Sequence, residues 1–102
     1  MAYDPGALEA VLAAAVGADS SLVEELRGAF FDSAMERVAA LRAAQGDDEW
    51  VAAANRLTGL AASFGALRVI DAARAAAKDV PGSPKAIARI ERALFALRHE
   101  AA

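Results

Sequence analysis

The sequence predicts an all-α fold, an antiparallel four-helix bundle with a short extra N-terminal helix, and three observations predict it. Composition is the first: 30 of the 102 residues are Ala, the strongest helix former, against 7 Gly and 3 Pro. Periodicity is the second, because apolar residues recur every three or four positions along most of the chain. Punctuation is the third: Gly17, Gly46, Gly65 and Pro81-Gly82-Ser83-Pro84 divide that pattern into segments of helical length. At 57% hydrophobic, the chain has material for one modest core, so residues 1–102 are expected to form a single domain.

The elements follow in order. Asp4 caps a short first helix with Pro5 in its first turn, and the stripe Leu8, Val11, Leu12 and Val16 runs until Gly17. Asp19-Ser20-Ser21 supplies caps for the second helix, where Ser21 and Glu24 have capping-box spacing. Its stripe, Val23, Leu26, Phe30, Ala34, Val38 and Leu41, predicts about 24 helical residues before Gly46. Asp47-Asp48-Glu49 then puts negative charge at the positive end of a third helix dipole. Trp50, Ala53, Leu57, Leu60 and Phe64 carry that helix to about Gly65. Leu67, Ile70 and Ala77 mark a fourth helix up to Val80, and Ser83 caps a fifth with Pro84 at its first position. The fifth has Ile87, Ile90, Leu94 and Leu97 on one side and Arg89, Glu91 and Arg92 on the other. Four longer amphipathic helices on short loops bury their stripes most economically against one another.

Several function classes drop out on composition. With no Cys there are no disulfides, thiolate metal sites or cysteine nucleophiles, and one His leaves no imidazole cluster, so neither metal nor cofactor is expected. No apolar run approaches the ~20 residues of a membrane span, and Met1-Ala2-Tyr3-Asp4-Pro5 lacks a basic signal segment. The expected location is cytoplasmic. A net charge of −3, a pI near 5.0 and few aromatics argue against nucleic acid. That net charge hides a polarity: residues 1–54 hold three Arg against ten Asp or Glu, whereas residues 55–102 hold eight Lys or Arg against four. Either the halves complement each other inside the fold, or a basic face meets an acidic partner.

One helix face departs from the usual pattern. At 100° per residue, Trp50, Ala54, Leu57, Ala61 and Phe64 cluster within about 80° on the third helix. Ala52, Asn55, Gly59, Ala62 and Ser63 therefore face the other way, flanked by Arg56 and Thr58. Solvent faces ordinarily carry Lys, Glu, Arg or Gln, but this one is flat. Gly59 in mid-helix costs ~1 kcal/mol relative to Ala. Three explanations are open: compositional drift in an Ala-rich chain, packing of Gly59 beneath another helix of the same bundle, or close approach of a second molecule.

The run Ala54-Asn55-Arg56-Leu57-Thr58-Gly59-Leu60-Ala61-Ala62-Ser63-Phe64-Gly65-Ala66 resembles the signature of histidine-containing phosphotransfer domains, roughly A-H-x-L-K-G-x-A-x-x-x-G-A. Upstream, Leu26 to Phe30, Glu36-Arg37-Val38 and Leu41 to Gly46-Asp47 look like the preceding helix of that family, so the similarity covers about residues 20 to 80. The resemblance implies a bundle that passes phosphoryl groups between receiver domains in two-component phosphorelays. It assigns Gly59 to the small position that admits a receiver, and Leu57, Ala61 and Gly65-Ala66 to scaffold positions.

Two departures fall on the chemistry. The phosphorylated His of the family corresponds to Asn55, and the Lys three residues later corresponds to Thr58. A carboxamide nitrogen is delocalised into its carbonyl and does not attack phosphate, and Thr58 brings no ammonium to neutralise it. The expectation is a non-enzymatic, degenerate member of the family, with no catalytic residue. As a monomer it binds the receiver of a response regulator or hybrid kinase through Ala52, Asn55, Arg56, Thr58, Gly59, Ala62, Ser63 and Arg68, with Arg74 adding charge. It acts as adaptor, competitor or sequestering partner. Two other classes fit the same features: an active transfer protein whose His was replaced here, and a helical oligomerisation module using the Ala-rich face.

Other chemistry-bearing residues have plain roles. His99 sits where a cation favours a helix C-terminus, and Ser63 and Thr58 lack a neighbouring base. Asp47-Asp48-Glu49 is explained by its helix start, and the Asp32 and Glu36 pair by a solvated face.

Overall fold

The computed structural model describes Leu8, Ala10, Leu12, Ala14 and residues 20–100, and every regular element among them is a helix. Those elements are α1 (Ser20–Ala43), α2 (Asp47–Ser63), α3 (Leu67–Ala77) and α4 (Pro84–Glu100). The short N-terminal helix expected from Asp4 to Val16 lies largely outside the described residues, but Leu8 and Leu12 of its stripe are helical and fully buried.

Local chemistry explains the boundaries. Ser20 and Ser21 are both helical in α1, so Ser21 stands past the cap position that the Ser21–Glu24 spacing predicts, and residue 19 lies outside the described residues. Gly46 precedes α2 at φ 92°, a conformation that L side chains resist, and Glu49 reaches back to accept the backbone N–H of Gln45 at 3.1 Å. α2 ends in a Schellman motif. Gly65, at φ 68°, donates its N–H to Ala62 O at 3.2 Å, and Ala66 donates to Ala61 O at 3.0 Å. Ala61 and Ala66, the two residues closed by the longer bond, are both buried.

α3 stops at Ala77 rather than Val80. Lys78 and Asp79 donate to Ala75 O and Ala76 O at 3.1 and 3.0 Å, which tightens the last turn. The Asp79 carboxylate then accepts the Val80 N–H at 2.7 Å and the Ser83 hydroxyl at 3.1 Å, turning the chain away from the helix. Ser83 caps α4 as its spacing predicts, accepting the Ala86 N–H at 3.2 Å with Pro84 at the first helical position.

The helices form a closed ring of neighbours: α1 packs on α2 and α4, and α3 packs on α2 and α4. No contacts cross the diagonals α1 to α3 or α2 to α4 among the described residues. Inside the ring Phe30, Val38 and Leu41 of α1 join Trp50 and Leu57 of α2, Val69 of α3, and Ile90 and Leu97 of α4 in one core; on α3 the buried face is Val69, Ile70, Ala72, Ala73 and Ala76, whereas Leu67 and Ala77 of the expected stripe are half-buried. Two polar side chains stitch helix ends together. Trp50 is wholly buried and donates its indole N–H to Ala76 O at 2.7 Å, satisfying a carbonyl at the end of α3. Arg27, 8% exposed, donates to Leu97 O and Arg98 O at 3.3 and 2.7 Å, placing its cation against the negative end of α4.

Candidate functional site

Burying Trp50, Ala53, Ala54, Leu57 and Ala61 fixes the rotation of α2, and that rotation exposes the small-residue strip. Ala52, Asn55, Gly59, Ala62 and Ser63 are all exposed, as is Arg56, while Thr58 is half-buried at the edge. The strip is therefore a surface, not a helix-helix seam.

Gly59 tests one explanation for the flat face, packing beneath a neighbouring helix. A Cβ placed on it meets no atom within 4 Å, so no neighbouring helix of this chain requires a glycine there. The small side chain leaves open space above mid-helix, in a helix that would be more stable with Ala. Nearby hydroxyls are turned inward to their own helix: Thr58 donates to Ala54 O at 2.9 Å and Ser63 to Gly59 O at 3.0 Å. Their donors are used, their surfaces stay low, and neither has a base beside it. The Asn55 carboxamide has no hydrogen-bond partner among the described residues, and Arg56 has no ionic one, so both polar groups remain available to a ligand.

Arg68 is placed elsewhere. It is exposed on the flank of α3 that lines a groove with α4, beside Ala72, Arg89 and Arg92. Arg74 is also exposed and lies roughly 120° around α3 from Arg68. Val51, 38% exposed, joins the strip although it is not among the residues expected there. The signal for it existed, because Val51, Asn55, Thr58 and Ala62 fall at i, i+4, i+7 and i+11 and so share one edge of the strip.

Among the described residues, no group of three or more His, Cys, Asp or Glu is disposed to hold a metal ion, and no helix is long and apolar enough to cross a membrane. Chemically, the strip offers contact area at low relief, one carboxamide and one guanidinium. Such an arrangement can bind a convex or side-chain-rich surface. Comparison with family models, curated proteins and solved structures returned no match.

Proposed function

We propose that the chain is an antiparallel four-helix bundle of the histidine-containing phosphotransfer kind that has lost its phosphoacceptor and binds a receiver domain without transferring phosphate. The open space above Gly59 carries this reading: internal packing gives no reason for that glycine, and close approach of a second molecule does. Helix ends that meet in opposite senses support the bundle, Arg27 near the start of α1 against the end of α4, and Trp50 near the start of α2 against the end of α3. The partner is the receiver of a response regulator or hybrid kinase, and the setting is the cytoplasm.

Recognition follows from the side chains. A receiver's phosphorylation pocket is built around clustered carboxylates, which Arg56 complements in charge. Asn55 offers a neutral hydrogen bond where the family's imidazole enters, and Ala52, Gly59, Ala62 and Ser63 let the receiver backbone sit close. Occupying the pocket without accepting phosphate makes the domain an adaptor, a competitor or a sequestering partner.

Titration calorimetry against the receivers encoded in the source genome tests this. At least one is expected to bind, and Gly59→Arg is expected to abolish that binding while leaving the helical circular dichroism signal intact, because the new side chain enters open space. Binding that survives Gly59→Arg removes the strip from the interface.

A further inference from the structure

Phe95 belongs to α4 but not to the core. It is 67% exposed, and its ring lies tilted against that of His99 with centroids 4.2 Å apart, His99 itself being exposed one turn later. Beside it on α1, Met35 is 46% exposed, and the two side chains line one small pocket with Phe31 and Leu94, edged by Glu91, Arg98 and His99 of α4. Large apolar groups gathered at one place on a surface mark an interaction site more than single ones do.

The charges around this apolar centre are opposite on its two sides. On the α3 side, Phe95 borders the groove of about 810 Å³ that also presents Arg68, Arg89 and Arg92 above an Ala floor. On the α1 side, Asp32 and Glu36 are exposed roughly 60° and 100° around the helix from Met35. Arg89, Arg92, Asp32 and Glu36 have no ionic partner among the described residues, where the ion pair present joins Arg42 to Glu91. The charge polarity of the chain is thus left largely on its surface. Gly28 lies on the same side of α1, one turn before Asp32 and two before Met35, and a Cβ there meets nothing within 4 Å. No internal neighbour demands that glycine either.

A basic flank, an apolar centre and an acidic flank make a self-complementary patch, which is what a two-fold axis requires of both copies. A small-molecule site fits less well, since the buried polar side chains among the described residues are Arg27 and Ser83, and neither lines the groove. We propose that a second copy of this chain covers this face, as a two-fold dimer in which Phe95 and Met35 of the two copies meet, and Arg89 and Arg92 of each face Asp32 and Glu36 of the other. This departs from the monomer expected from sequence. It is independent of receiver binding, because α2 lies diagonally across the bundle from α4 and its strip stays open in the dimer.

Sedimentation velocity of the full chain, from low micromolar to near-millimolar concentration, is expected to show the mass rising from 10.5 kDa toward twice that value. Phe95→Asp is expected to hold it at one chain throughout. Two charge reversals, Arg89→Glu with Arg92→Glu, and Asp32→Lys with Glu36→Lys, are each expected to abolish the dimer alone and to restore it when the two proteins are mixed. All five residues are exposed, so circular dichroism should report unchanged folding. A single-chain mass at every concentration, or a dimer that persists through both reversals and Phe95→Asp, overturns the proposal.

Discussion

Asn55 and Gly59 sit one helical turn apart on α2 and make separate statements. Asn55 concerns chemistry. With a carboxamide there, the chain is expected to take no label from a phosphorylated receiver, whereas Asn55→His places an imidazole on an exposed, unencumbered position and is expected to gain acid-labile label. Label on the unaltered chain would show that phosphate is accepted elsewhere. Gly59 concerns stability. Ala at this exposed mid-helix site is expected to raise the unfolding free energy by ~0.5–1 kcal/mol, read from urea denaturation, because its Cβ meets nothing and the unfolded chain loses freedom. A destabilised Gly59→Ala would mean that the glycine serves the fold after all.

At the scale of elements, the helix ends are held by particular groups rather than by propensity. Ser83→Ala removes the acceptor for the Ala86 N–H and the donor to Asp79, so a loss of ~1–2 kcal/mol is expected, again by denaturant unfolding. Trp50→Phe retains most of the apolar volume but removes the indole N–H from Ala76 O, which keeps only the Asp79 N–H, and is expected to cost ~0.5–1.5 kcal/mol. The difference between these sites also explains what the sequence made legible. Ser83 followed by Pro84 is a local signal, and so are the stripes of α1, α2 and α4, because capping and amphipathicity depend on residues a few positions apart; in the Ala-rich α3 the buried face is Val69, Ile70, Ala72, Ala73 and Ala76 rather than one centred on Leu67 and Ala77. The bond from Trp50 to Ala76 and that from Arg27 to Leu97 join residues distant in the chain, and no periodicity encodes them. Arg68 was grouped with the strip because α3 follows α2. Its flank depends on which side of α3 meets α4, which is a packing outcome. Phe95 is different again: it lies roughly 120° from the centre of the Ile87, Ile90, Leu94 and Leu97 stripe, so simple helical geometry places it on the surface.

At the scale of the whole molecule, the two surfaces differ in what holds them, and ionic strength separates folding from association. The core of the monomer is apolar, and among the described residues Arg42 and Glu91 form its ion pair on the surface, where such pairs contribute ~0–1 kcal/mol. Added salt therefore has little of the fold to weaken. The proposed dimer instead sets Arg89 and Arg92 against Asp32 and Glu36 around a partly solvated rim, and the Debye length falls from ~10 Å at 0.1 M salt to ~3 Å at 1 M. Raising sodium chloride across that range is expected to lower the weight-average mass at fixed protein concentration while the thermal midpoint of an isolated Phe95→Asp monomer shifts by only a few degrees. Salt that strengthens the dimer would assign its stability to Phe95 and Met35 alone, since apolar burial gains rather than loses under such conditions. Each charge-reversed variant would then dimerise on its own, with nothing for mixing to restore, so the two experiments fix the same interface from independent sides.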